Sequence, residues 1–150
     1  MSYTIKVDNL DKIRSEFAKA PKVVAGQLER GVKDAGVVIL EKEKSEAPIK
    51  SGNLRRSIEM SYRPIGVTIY PKSGYAYFVH FGTGLYGERR AMIVPKRAKM
   101  LAWRSGGKMI FAKAVRGQKP NAFVERTADQ VGPKINRVFD NILKNISETI

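Results

Sequence analysis

The sequence predicts an α+β domain: a curved antiparallel sheet of about five or six strands, packed against a long helix in the amino-terminal half and a carboxy-terminal helix. Three observations predict it. Apolar residues recur at helical spacing over residues 21–46 and again from Ala122. Short apolar segments with strand-like alternation fill the middle of the chain. The links between these segments are too short for crossover helices, which favours an antiparallel meander. At 150 residues, the chain is expected to form a single domain over 1–150.

The amino-terminal half is predicted to be mainly helical. Tyr3–Val7 alternates like a short strand, and a short amphipathic helix follows to about Lys19. Pro21 is suited to the first turn of a second helix that runs to about Glu46, where Ala47-Pro48 stops it. The stretch Glu41–Glu46 is expected to be its solvated end. Glycines at five-residue intervals either weaken this helix or permit close packing of another backbone, and they are Gly26, Gly31 and Gly36.

The stretch Tyr75–Gly87 is the centre of the predicted sheet. Its first seven residues, Tyr75–Phe81, are apolar on both faces of an extended chain, so we expect a central strand covered on both sides. The glycines that follow permit turns with positive φ. The other predicted strands are Leu54–Tyr62, the segment from Val67 to Tyr70, the segment Met100–Trp103 and Lys108–Val115, with a turn at Arg104–Gly107.

The tail from Ala122 carries one apolar stripe at helical spacing and is predicted to be a helix. Proline lacks the amide hydrogen that a helix interior needs, so Gly132-Pro133 is expected to kink or split it.

The positive charge of the chain is confined to its middle. The formal net charge is +14, and residues 51–120 hold 14 Lys and Arg residues against only two acidic ones, Glu59 and Glu88. The flanking segments are close to balanced. A field of this sign attracts nucleic acid, acidic protein surfaces or anionic membranes, although a solvated soluble surface has the same composition.

The residue types argue against an enzyme. The absence of cysteine excludes disulfides and thiolate metal sites, and a single histidine, His80, cannot form a multi-histidine zinc site. A catalytic carboxylate pair in the middle would need both Glu59 and Glu88, or one of them with a carboxylate from a flanking helix. Gly82-Thr83-Gly84 lacks the lysine and spacing of a phosphate-binding loop. We therefore expect no catalytic residue, no metal and no cofactor. No signal peptide and no membrane span are expected either.

Two binding functions remain open from the residues alone. Paired basic residues near predicted turns suit phosphate contacts. The aromatic residues that are able to stack on bases are Tyr62, Tyr70, Tyr86 and Trp103. The sequence contains no zinc finger and no aromatic RNA-reading strand, and paired arginines meet acidic protein surfaces equally well. We favour protein contacts, with sequence-independent nucleic-acid binding as the alternative.

Four segments carry characteristic motifs in a fixed order. They are Ala47–Ile58, with the pattern Ala-Pro-x-x-(Ser/Thr)-Gly-x-Leu-x-x-Ser-Ile; Tyr75–Gly84, with the pattern Tyr-Ala-x-x-Val-(Glu/His)-Phe-Gly-Thr; Ile93-Val-Pro with Lys99–Trp103; and Pro120–Val124. Together they resemble the tail-completion or neck proteins that join head and tail in long-tailed lambdoid phages. The sequence departs from the family at Ala122-Phe123, where Pro-Phe is usual.

The resemblance implies a non-enzymatic virion protein, located in the tail or neck and in the host cytoplasm during assembly. It implies a homo-oligomeric ring of about six copies whose neighbours meet head to tail. The implied partners are the head connector and the tail-tube or tail-terminator proteins, with possible non-specific contact to DNA in the conduit and none with a membrane. The predicted contact residues lie in the loops 49–56 and 82–91 and next to them. They are Arg55, Arg56, His80, Gly82, Thr83, Gly84, Tyr86, Arg89 and Arg90.

Overall fold

The computed structural model of the chain describes residues 22–63 and 66–149. The helices are α1 (Lys22–Glu46), α2 (Asn53–Ser57), α3 (Ala76–Phe81) and α4 (Phe123–Thr149), with a 3₁₀ turn at Gly84–Tyr86. The strands are β1 (Ile58–Arg63), β2 (Gly66–Pro71), β3 (Leu101–Ser105) and β4 (Lys108–Ala112). The predicted strand at Tyr3–Val7 and the short helix after it lie outside the described residues.

Contacts within the chain divide it into two compact units. The first unit comprises the chain up to Gly74 together with the segment from Phe123 onward, and the inserted unit is Tyr75–Ala122. The single domain predicted for residues 1–150 stays a prediction.

In the first unit, α1 packs against α4 and against the hairpin of β1 and β2. The buried stripe of α1 includes Val32, Ala35 and Ile39, as its helical spacing predicts. Near its start, Val24 joins Ile142 and Ile146 of α4 in one apolar cluster. The hairpin is antiparallel, and β2 buries alternate residues, Val67, Ile69 and Pro71. Alternate burial is the mark of a sheet with one face on the core.

The carboxyl end of α1 is tied to the start of α4 by an ionic cluster. Glu46 accepts from Arg126 Nε at 3.0 Å and lies 2.7 Å from Lys42 Nζ. These hydrogen bonds, first from Lys42 and then from Arg126, lower the pKa of Glu46. Beside this cluster Phe123 is fully buried, and Glu43 is buried on the inner stripe of α1. The prediction that Glu41–Glu46 is merely a solvated end is therefore wrong.

The predicted sheet of five or six strands is wrong. Over residues 22–63 and 66–149, four strands form two separate two-stranded antiparallel sheets, β1–β2 and β3–β4, with one further bridge between Ile93 and Val115. The main cause is Tyr75–Phe81, which is predicted as the central strand and is instead helical from Ala76 onward. Ala76, Val79 and His80 are the buried residues of α3, and their spacing of three and four is that of a helix face.

Two further boundaries differ from the prediction. The predicted strand Leu54–Tyr62 begins as the short helix α2 and becomes extended only at Ile58. Of the kink or split predicted at Gly132-Pro133, the split is wrong because α4 contains Pro133 within its helical span, and the kink stays a prediction. The long helices, strand β2 and the turn before β4 are confirmed.

Candidate interaction surface

A clasp between two loops organises the inserted unit. We use clasp for the segment 82–87 together with the segment 116–120. Thr83 N donates to Gln118 O at 2.9 Å, and Leu85 N donates to Arg116 O at 2.8 Å. Gln118 N in turn donates to the Thr83 hydroxyl at 2.8 Å. Reciprocal bonds of this kind satisfy backbone groups in segments that have no regular partner strand.

Gly82 and Gly117 are two of the glycines that the clasp requires. Gly82 has φ +80°, and a Cβ there would lie 2.9 Å from both Gln118 O and Pro120 N. Gly117 has φ +88°, and a Cβ there would clash with the backbone of Thr83 and Gly84. Side chains are disfavoured at both positions by conformation and by space. The glycine loop is thus bonded to its own chain, and its role as a contact surface stays a prediction.

An open groove of about 500 Å³ lies in the inserted unit. Its walls are apolar: Phe78 from α3 stands beside Met92 and Val94, and all three side chains are exposed. The groove also reaches Arg89 and Lys96, which bring positive charge to its lining. Apolar grooves with a few charged groups suit an anchoring side chain from a partner.

The hairpin of β3 and β4 is the most exposed part of the inserted unit. We call residues 99–113 the arm. Nearly every residue of the two strands is exposed, including Trp103 (40%), Ile110 (38%), Met109 (51%) and Phe111 (59%). A two-stranded hairpin that leaves large apolar side chains in water is marginally stable by itself. Exposed apolar clusters of this kind mark interaction sites.

The predicted contact residues fall into two groups, one in each unit. In the first unit, Arg55 Nη2 donates to Ser45 O at 3.3 Å, which ties α2 to the end of α1. Arg56 Nη2 donates to Ser51 O at 3.3 Å and to the side-chain oxygen of Asn53. Both guanidinium groups therefore organise the local loop, and Arg56 remains exposed.

In the inserted unit, the predicted contact residues differ in exposure. His80 is buried in α3, with its ring edge-on to Phe81 at a centroid distance of 4.5 Å. Tyr86 is exposed and has Lys119 Nζ 5.8 Å from its ring centroid. Arg89 and Arg90 are both exposed, and Arg90 has a left-handed backbone with φ 46°. A pair of exposed cations on a loop is suited to bind an acidic surface.

The part of the chain that the structure describes contains no group of three or more His, Asp or Glu side chains placed to hold a metal ion. Within the same residues, no helix combines the length and the apolar character needed to cross a bilayer.

The sequence predicts strands and a turn in the arm, but not its role as a contact surface. The arm has four cations and no acidic residue, interleaved with large apolar residues on both strands. Strand alternation alone would have put one set of these residues in a core. The signal for an exposed contact element is a hairpin that is apolar on both faces and also rich in cations. These cations are Lys99, Arg104, Lys108 and Lys113.

Residues 11–82 of the chain match a family model described as "Bacteriophage HK97-gp10, putative tail-component". The match includes α1, the hairpin of β1 and β2, and α3. No curated protein and no solved structure gives a significant match to the chain.

Proposed function

We propose that this chain, whose residues 11–82 match the family model described as a putative phage tail component, completes the phage tail and joins it to the head connector. That model describes a putative tail component, which supports a location in the virion. The observation that carries the finer proposal is the inserted unit. It exposes large apolar side chains beside a high density of cations, as expected of an assembly protein that meets other surfaces.

The protein acts by contact rather than by catalysis, and in the virion it forms a ring of about six copies. Neighbouring copies in such a ring use two different patches, one on each side, so that rotation closes the assembly. The loops that contain Arg56, Tyr86, Arg89 and Arg90 supply charged contacts. During assembly the protein is in the host cytoplasm, and in the finished particle it lies between the tail tube and the connector.

Charge reversal at Arg89 and Arg90 tests the proposal. Both side chains are exposed, so Arg89→Glu with Arg90→Glu is expected to leave the circular-dichroism spectrum and melting temperature close to wild type. In a phage whose own copy of the gene carries the double substitution, electron microscopy should show filled heads and free tails instead of joined particles.

Arg30→Glu with Lys33→Glu is the matched control. These cations are also exposed, lie on α1 in the first unit, and change the net charge by the same amount. The control is expected to give joined particles. Normal phage yield from the Arg89/Arg90 double variant would refute the assignment of this loop.

A further inference from the structure

We infer that the arm docks on a different protein whose surface is acidic around apolar pockets, and that this partner covers both faces of the arm. The inference deepens the proposed function, on which it rests only for placing the partner in the virion. It names the chemistry of the partner surface, and it follows from the strand register, the exposure and the charge of residues 99–113.

The register of the hairpin puts large apolar side chains on both of its faces. Trp103 pairs with Ile110, and directly opposed residues of an antiparallel pair lie on the same face. The next pairs along, Ala102 with Phe111 and Arg104 with Met109, put Phe111 and Met109 on the opposite face. All four large apolar side chains are exposed. A partner that covers only one face would leave two of them in water, so the arm is suited to insertion into a cleft.

The net positive charge of both units argues against a second copy of this chain as the partner of the arm. The arm carries Lys99, Arg104, Lys108 and Lys113 and no carboxylate. The inserted unit as a whole has ten Lys and Arg residues and one acidic residue, Glu88. The first unit, over 22–74 and 123–149, is also net positive, with 14 basic residues against 10 acidic ones. A contact between the arm and a second copy would therefore oppose like net charges, whereas an acidic partner would be attracted to the arm.

The apolar side chains favour a protein over nucleic acid. Phosphates would satisfy the four cations, and bases stack on rings such as Trp103. Ile110 and Met109 cannot pair with phosphates, because they carry no charge, and they cannot stack on bases as a ring does. An apolar centre that contains Trp and Met, surrounded by a charged rim, is instead the composition of protein–protein hot spots.

Binding of defined polymers to the full-length protein tests the inference. The probes are poly(Glu,Tyr), poly(Glu) of the same length, and a short duplex DNA, each titrated at several salt concentrations. Wild type should bind poly(Glu,Tyr) at least about tenfold more tightly than poly(Glu), because only the copolymer offers apolar groups as well as charge. Equal affinity for the two polymers, or tighter binding to the DNA, would overturn the inference.

Two sets of variants separate the apolar and ionic contributions. Trp103→Ser with Phe111→Ser removes one large side chain from each face, and it should abolish the preference for poly(Glu,Tyr) while leaving poly(Glu) binding within about twofold. Arg104→Glu with Lys108→Glu should weaken binding to both polymers. Val37→Ser with Leu143→Ser is the control, because these side chains have similar exposure on helices of the first unit. An equal loss in this control would refute the assignment to the arm.

Sedimentation of the same variants tests the alternative occupant. If a second copy covered the arm, wild type would associate in micromolar solution and the Trp103/Phe111 variant would be a monomer. That result would overturn the inference, whereas identical sedimentation of the two proteins is expected. These measurements use purified protein alone. They can therefore fail while the head–tail joining experiment succeeds, and the reverse also holds.

Discussion

Replacing Gly36 by alanine is expected to destabilise the protein, although alanine is the better helix former. Gly36 lies in the middle of α1 where the helix packs on the hairpin of β1 and β2. An added Cβ would lie 2.8 Å from both γ-carbons of Val67 and 2.8 Å from the sulfur of Met60. The methionine side chain is flexible and can move. The valine is stiff at χ1, so its two methyl groups cannot both withdraw without a shift of the strand.

The size of the effect follows from two opposing terms. A glycine-to-alanine change inside a helix stabilises it by up to about 1 kcal/mol. Forcing extra carbon into a packed core costs about 1–3 kcal/mol. For Gly36→Ala the packing cost should equal or exceed the gain in helix propensity. The free energy of unfolding should therefore fall by roughly 0–2 kcal/mol. Gly26 is the matched control in the same helix, because a Cβ there meets nothing within 4 Å. Gly26→Ala should gain the stabilisation from helix propensity without any packing cost.

Thermal and urea unfolding of the two variants measures the difference directly. For a chain of this size, 1 kcal/mol moves the melting temperature by about 2–4 °C. Gly26→Ala should melt above wild type by up to about that amount, and Gly36→Ala at or below wild type. Val67→Ala removes both γ-carbons, so combining it with Gly36→Ala should cost less than the sum of the single changes. A Gly36→Ala protein as stable as Gly26→Ala would show that the packing argument is wrong.

Two further predictions concern the clasp and the ionic cluster. Gly82→Ala should destabilise the clasp by more than about 1 kcal/mol, because alanine is strained at φ +80° and its Cβ meets backbone, and hydrogen exchange of the clasp amides should speed up. Since Lys42 and Arg126 lower the pKa of Glu46, its carboxylate stabilises the fold above its ordinary pKa of 4.5, and this contribution is lost as pH falls further. Glu46→Gln should therefore flatten the pH dependence of the unfolding free energy below about pH 4.5, as urea titrations would show.

The long elements could be predicted from the sequence because their periodicity persists. The helix α1 has 25 residues and α4 has 27, so a local irregularity does not hide the helical period of their apolar stripes. Pro133 illustrates this. It removes one amide hydrogen from α4, but the apolar residues before and after it, Val131 and Ile142, remain on the buried face. Packing of that face stabilises the helix across the proline.

The segment Tyr75–Phe81 could not be assigned from its sequence. Seven apolar or aromatic residues satisfy strand alternation and helix spacing equally well, and a short run of this kind has no period of its own. Tertiary contacts decide between helix and strand for this segment. Asn121 N donates to the carbonyls of Val79 and His80 at 3.0 and 3.2 Å, which satisfies groups left open at the end of α3. Asn121 is about 40 residues away in the chain, so no local pattern contains this information.

The candidate interaction surface was predictable in charge but not in form. The confinement of cations to residues 51–120 follows from counting, and Arg89 and Arg90 are exposed as a contact role requires. The arm was not predicted as a contact surface, because a strand with apolar residues on both faces is usually a buried one. Its exposure depends on the absence of a third strand beside β3 or β4 among the described residues, which is a property of the fold and not of the hairpin.

The two units differ in how many of their apolar residues are buried. The first unit contains most of the buried apolar residues, with α1, α4 and the first hairpin as its frame. The inserted unit contains most of the exposed large apolar side chains and has only Glu88 to offset ten cations. Those exposed side chains contribute little to the stability of the isolated chain, because water still contacts them. Keeping them exposed is disadvantageous for solubility unless a partner covers them. Substitutions in the arm should therefore affect assembly far more than folding, whereas substitutions at Gly36 should have the reverse effect.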